Sequence, residues 1–197
     1  MPEKDLDAQN KQFIAILRKN QDLMIVLDAL EKFQLPNYYV VAGVVFQTIW
    51  NYLEDNNLND NVKDIDIIYY DRQNLAKEDE KKLETKIIKV LKEKGLNYQI
   101  DLHNEARMHL WKKEKENKKI NQYTSAEDAI NKFIVTAHAI GVKKEAEAIK
   151  IYAPYGLGDI FSKTLRPIKH EGNDINLYNK KIKKWRQTFN NLTIIDW

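Results

Sequence analysis

The sequence predicts an α/β (α+β) fold over 197 residues, entered through a helical N-terminal lead. Three observations carry that assignment. Apolar residues recur at helical spacing from Leu6 to Phe33. Three short runs rich in β-branched and aromatic residues, Tyr38–Ala42, Val62–Tyr70 and Asn97–His103, alternate with helical patterns. A further stretch, Thr136–Tyr152, reads as a β-hairpin about a polar centre at Lys143-Lys144-Glu145. A hydrophobic content of 43% with 31% charged residues suits one globular core and excludes a disordered chain. The expected organisation is one domain, with residues 1–35 a helical segment, 36–168 the core and 169–197 a C-terminal helix and tail.

In order along the chain, Phe13, Ile14 and Leu17 mark a first helix, and Leu23, Val26, Leu27 and Leu30 a second. Asn20-Gln21-Asp22 separates them, with Asn20 a candidate N-cap, and Pro36 ends the pair. Tyr38-Tyr39-Val40-Val41-Ala42 is a buried strand running into Gly43, after which Val45, Thr48, Ile49, Trp50 and Leu53 form the apolar stripe of a helix. The Asn- and Asp-rich segment 56–61 is a loop that delivers the chain to the strand at Asp64. A charged helix over 75–94 turns Leu83, Ile87, Val90 and Leu91 inward and stops at Gly95. The 97–103 strand follows, then a helix or tight loop over 104–111 and a helix start capped by Ser125. After the hairpin, Pro154-Tyr155-Gly156 turns into a short helix through Phe161, and a last helix runs near 176–189.

The net charge of +3 is the small difference between 32 basic and 29 acidic residues, so the chain lacks the basic excess of a dedicated nucleic-acid binder. Two local basic runs, Lys112 to Lys119 and Lys180 to Arg186, read as solvated helix faces or loops. No stretch approaches the roughly 18 apolar residues of a membrane span, and Met1-Pro2-Glu3-Lys4-Asp5 is too acidic and polar for a signal peptide. Without cysteine there is no disulfide framework and no thiolate chemistry, which fits a cytoplasmic location.

The chemistry is concentrated at Asp64-Ile65-Asp66. Alternation along a strand puts Ile65, Ile67 and Tyr69 on one face and both carboxylates on the other. Two such groups repel, and partial burial raises the cost unless a cation or proton lies between them. Mg²⁺ (or Mn²⁺) answers that need, because it takes oxygen ligands and leaves positions for substrate phosphates. On the 97–103 strand Asp101 alternates with Ile100 and Leu102, so an apolar face shared with Ile65 and Ile67 would bring a third carboxylate alongside the pair. Three acids of this kind suit metal-assisted transfer from a nucleoside triphosphate. The bland reading takes Asp64 as a strand-entry cap, with Asp66 and Asp101 at the surface. Gly43, at a strand-to-helix junction, permits close approach of phosphate to a helix N-terminus, or serves packing alone.

Strand, glycine, helix, Asp-x-Asp strand and a later strand with a third acid together resemble the DNA-polymerase-beta-like nucleotidyltransferase superfamily. Val41-Ala42-Gly43-Val44-Val45-Phe46-Gln47-Thr48, Asp64-Ile65-Asp66-Ile67-Ile68-Tyr69-Tyr70-Asp71, Asn104-Glu105-Ala106-Arg107-Met108-His109, Thr124-Ser125-Ala126-Glu127-Asp128-Ala129 and Ala153-Pro154-Tyr155-Gly156-Leu157 stand in the order found in one family of it. That family consists of small bacterial and fungal nucleotidyltransferase-like proteins, formerly a domain of unknown function. The resemblance runs from about Tyr38 to Pro167. It implies a mixed, mostly antiparallel sheet flanked by helices, with Asp64, Asp66 and Asp101 as catalytic metal ligands, Asp101 also facing the nucleophile's proton. It implies that Gly43 approaches the triphosphate of an NTP, although Val44 follows where many members carry Ser or Gly.

Arg107 is a second nucleotide-binding candidate, since its fork suits phosphate oxygens, or it pairs with Glu105 or Asp128. His103, Asn104 and His109 are possible substrate contacts. The function expected is transfer of an NMP moiety from an NTP to an unidentified hydroxyl or phosphate acceptor, whether small molecule, protein or RNA. The alternative is a catalytically degenerate nucleotide- or partner-binding module of the same fold. A D-x-D glycosyltransferase is disfavoured, because too little chain precedes Asp64 for its nucleotide-binding half.

Overall fold

The computed structural model describes residues 3–117, 119–170 and 172–197; Met1, Pro2, Lys118 of the first basic run, and Glu171 lie outside them. Two helices lead the chain, α1 (Glu3–Leu17) and α2 (Gln21–Phe33). The Asn20 side chain caps α2 by accepting the Leu23 N–H, and its Nδ2 donates to Thr48 Oγ1 at 2.8 Å, which ties the lead to the core. Gln34, left-handed at φ 51°, closes α2 two residues ahead of Pro36. Next come β1 (Tyr39–Val41), α3 (Gly43–Leu53), β2 (Asp64–Tyr69), α4 (Lys77–Glu93) and β3 (Gln99–Asn104). After a 3₁₀ turn at Glu105–Arg107 the chain forms α5 (Met108–Glu116) and α6 (Ala126–Ile130). The rest is β4 (Gly141–Glu145), β5 (Ala148–Tyr152), α7 (Gly158–Phe161), β6 (Thr164–Leu165), α8 (Ile175–Arg186) and β7 (Thr193–Ile194).

Five strands form the main sheet in the order β3-β2-β1-β4-β5. β1 is antiparallel to both neighbours and β4 to β5, while β2 and β3 are parallel with α4 as their crossover. The sheet is therefore mixed and mostly antiparallel, as expected. The hairpin is shorter than the alternation implied: Thr136–His138 is a 3₁₀ turn, and pairing starts at Gly141. Asn51 explains how the Asn-rich loop stays ordered, since its Nδ2 donates to the carbonyls of Leu58 and Asp60.

Period-two alternation separates the two faces of the sheet. Ile65, Ile67, Ile100, Leu102 and Val40 join α1, α2, α3, α4 and α8 in the main core. Each such aliphatic side chain contributes about 1.5–3 kcal/mol by leaving water. Tyr39, Val41 and Ile68 lie on the opposite face, where Ala126, Ile130, Ala139 and Ile168 cover them. That cover leaves open the part of the face that carries Asp64, Asp66, Asp101 and His103.

Candidate active site

The β2–β3 register fixes the acids. Asp66 stands opposite Asp101, Asp64 opposite Gln99 and Ile68 opposite His103, so all three carboxylates share one face on adjacent strands. Asp66 is partly buried, and its carboxyl is pushed up to about 6 by burial and by the charges of Asp64 and Asp101. Asp101 is held by Gln99, whose Nε2 donates to both its oxygens at 3.0 and 3.3 Å. Among the described residues no three His, Cys, Asp or Glu side chains are drawn into a preformed metal cage.

The β1–α3 junction brings backbone to these acids. Ala42 adopts φ 48°, ψ −112°, a region that L residues rarely occupy and that costs about 1–3 kcal/mol. Its N–H donates to the Ile140 carbonyl, which anchors the turn to the stretch ahead of β4. The strained turn starts α3 at Gly43, directly over the carboxylates. A methyl group on Gly43 would lie 3.5 Å from Asp66 Oδ2 and 3.9 Å from Asp64 Oδ1. No side chain caps this helix and its first turn holds no acid, so its positive end faces the acidic pair uncompensated.

Sequence reasoning missed the opposing cation. Lys181 on α8 lines the same cleft as Asp66. Burial and neighbouring Lys184 lower its ammonium pKa, while Asp66 and Asp64 draw it up. Lys181 and Lys184 in turn pull the Asp66 carboxyl down. The 180–186 run is thus not merely a solvated face, although Lys180, Lys183, Lys184 and Arg186 are exposed. Apolar spacing through Tyr178, Ile182 and Trp185 was the available signal, since it turns the flank carrying Lys181 toward the fold.

His138 was missed too. It is buried, its ring stacks on Phe46 at 4.3 Å, and its Nε2 has no hydrogen-bond partner. Burial first, then Lys181 and Lys184, push its pKa well below the usual imidazole value, so it is neutral. It lines the cleft of about 310 Å³ that extends from Ala42 and Asp66 past His103 to Glu105, Trp111 and Tyr123.

The other candidates separate. His103 faces the cleft beside Trp111, with ring centroids 6.4 Å apart. Arg107 is turned away, buried in an ion pair with Glu80 at 2.9 Å, because Glu80 on α4 packs behind β3 and also accepts the Asn104 N–H. Neither Glu105 nor Asp128 is its partner; Asp128 pairs with Lys132 at 2.9 Å. Asn104 caps the turn after β3 and binds the backbone of Asp71 and Asn74, which is a structural role on the core side. His109 is partly buried and does not line the cleft, and its Nδ1 lacks a partner.

The three carboxylates offer the all-oxygen donor chemistry that a hard divalent cation takes, and they stand on adjacent strands with their mutual repulsion only partly offset. Among the described residues no helix is long and apolar enough to cross a membrane. A nucleotidyltransferase family model matches residues 28–194. A solved NMR structure described as revealing a CCA-adding enzyme head domain is similar at a TM-score of 0.79 and 28% sequence identity, over 95% of this chain and 96% of that one. No curated protein matches the chain.

Proposed function

The chain belongs to the nucleotidyltransferase family whose model spans residues 28–194, and from that premise we propose that it is a Mg²⁺- or Mn²⁺-dependent enzyme acting on an NTP. It moves the nucleoside monophosphate onto a hydroxyl or phosphate acceptor, which can be a small molecule, a protein or an RNA, breaking the α–β phosphoanhydride bond and releasing pyrophosphate. General NMP transfer is what the family and fold support. The observation that supports the finer reading is that Asp64, Asp66 and Asp101 share one face of two adjacent strands, with the N-terminus of α3 close to Asp64 and Asp66.

Asp64, Asp66 and Asp101 would hold the metal, which when bound neutralises phosphoryl oxygens and lowers the pKa of an attacking hydroxyl. Gly43 lets the triphosphate approach the α3 backbone, where the helix end favours anions. Lys181 adds positive charge from the opposite wall. Asp101, oriented by Gln99, accepts the proton of the acceptor hydroxyl. A cysteine-free chain that uses NTP fits the cytoplasm.

Transfer of label from an α-labelled NTP, with and without Mg²⁺ across an acceptor panel, tests the proposal. Asp64→Ala and Asp101→Ala should abolish transfer, and Lys181→Met should raise KM for the NTP several-fold. Turnover surviving both aspartate substitutions overturns the roles of the carboxylates. One observation favours the second reading, a binding module without turnover: both Asp101 oxygens engage Gln99, and Val44 offers phosphate no side-chain donor. Calorimetry showing tight Mg²⁺–NTP binding without transfer to any acceptor would favour it.

A further inference from the structure

Beyond Asp66 the cleft continues into a further compartment. Its walls include Trp111 and Lys112 of α5, Tyr123 ahead of α6, and Phe133 beyond it. At its side stands Glu105, 4% exposed, in the 3₁₀ turn that follows β3. Among the described residues its carboxyl has no hydrogen-bond or ion-pair partner. Lys112, whose charge acts on it, pairs instead with Glu116 at 2.9 Å. Asn104 leaves the core side of β3 and caps this turn, which sets Glu105 at the cleft in the residue after it. Glu105 lines the cleft, so a molecule bound there can supply the partner that the described residues do not.

We propose that this compartment is a nucleobase subsite, in which Glu105 reads the hydrogen-bonding edge of the base while Trp111 and Tyr123 hold its ring faces. The inference rests on the nucleotidyltransferase reading and deepens it. Planar aromatic walls take a base of any kind, since every base offers a π-face. An in-plane carboxyl adds the edge contact that tells bases apart. The volume of about 310 Å³ for the whole cleft is at the small end for ligand pockets and holds one such ring system.

The charge state of Glu105 sets what it reads. Burial and then Glu80 on α4 push its carboxyl up to about 8, against the pull of Lys112 on α5. Tyr123 faces it from the loop before α6, and its own hydroxyl pKa is raised by burial and by Glu105. His103, Lys132, His138, His170, Asn173, Asp66 and Lys181 are the other polar residues of the lining. A protonated carboxyl offers one donor and one acceptor, which matches adenine, cytosine and uracil edges alike. The ionised form offers acceptors only, and guanine's adjacent N1–H and N2–H donors alone match it.

The base belongs either to the incoming NTP or to the terminal nucleotide of an acceptor strand, and two arms separate these sources. In the first, calorimetry measures the four α,β-imido NTPs with Mg²⁺ at about pH 6.5 and about pH 9. In the second, protein saturated with an imido-NTP is titrated with short RNAs that differ only in their 3′ base. The arm that carries the base should show ATP, CTP and UTP (or the matching RNA ends) weakening relative to guanine on the order of tenfold as pH rises. Glu105→Gln, which keeps one donor and one acceptor, should bind as wild type at the lower pH and lose the pH dependence. Glu105→Leu should weaken all four bases at both pH values. Base-blind binding in both arms, or wild-type affinities in Glu105→Leu, overturns the subsite and leaves nucleotidyl transfer standing. Failure of every NTP to bind overturns the reading on which it rests.

Discussion

At neutral pH the metal-free fold carries an ionised Asp66 between Asp64 and Asp101, so Asp66→Asn should stabilise the protein while removing its chemistry. The carboxyl rises from an ordinary 3.8 to about 6 in the fold. At about 1.4 kcal/mol per tenfold change in proton affinity, that corresponds to about 3 kcal/mol. The raised value means that the folded state binds the proton more tightly than the unfolded chain. Its contribution is present in full below about pH 4 and is lost as pH climbs through about 6. The asparagine variant should not suffer this loss. Lys181 limits the gain, because it is partly buried and loses one of the two acids that hold its charge. The expected gain at about pH 7.5 is therefore about 1–3 kcal/mol. Urea unfolding of both proteins in chelator, at about pH 7.5 and about pH 3.5, measures it. The difference should shrink to within about 0.5 kcal/mol at the lower pH, where Asp66 is protonated in both states. A variant less stable than wild type at neutral pH, or a gain undiminished in acid, refutes the argument. Added Mg²⁺ should raise the stability of wild type and not of Asp66→Asn, by linkage to the folded state.

Three further substitutions separate function from architecture. Gly43→Ala puts a methyl group 3.3 Å from Gln47 Nε2 and 3.5 Å from Asp66 Oδ2, so stability should change by less than about 1 kcal/mol while NTP affinity falls more than tenfold; calorimetry at wild-type strength would refute the phosphate approach. Arg107→Met leaves the partly buried Glu80 without its cation and should cost about 3 kcal/mol in chemical denaturation, yet leave NTP affinity unchanged in the folded protein. Ala42→Gly relieves the φ 48° strain against a smaller loss of chain entropy, for a net gain of about 0.5–2 kcal/mol in the same assay.

Residue alternation makes most of the acid site legible in the chain itself. In β2 and β3 a two-residue period assigns every side chain to a face, so Asp64, Asp66 and Asp101 fall opposite Ile65, Ile67, Ile100 and Leu102; that the two strands are neighbours, with Asp66 beside Asp101, is decided by the sheet. Arg107 was not legible, because its partner Glu80 belongs to a helix packed behind the sheet and its sequence neighbours offered plausible acids of their own. His138 looked like part of a strand, and only the 3₁₀ turn that replaces the start of the hairpin brings its ring to the cleft. Glu105 offered only a possible partner for Arg107 in one dimension, and its place in the wall of a cleft with Trp111 and Tyr123 is set by the tertiary structure.

What the sequence by itself determined is therefore local and periodic: the elements, the buried faces, the glycine at the β1–α3 turn and the three carboxylates. Lys181 marks what only the tertiary structure decided. In one dimension it is one of a run of lysines; the helical spacing of Tyr178, Ile182 and Trp185 puts it on the inward flank but does not say what it faces. The packing of Tyr178, Ile182 and Trp185 rotates α8 so that this lysine lines the same cleft as Asp66 and lies within reach of the charges of Asp64 and Asp66. Electrostatic partnership depends on distance through space, and these groups lie more than a hundred residues apart in the chain.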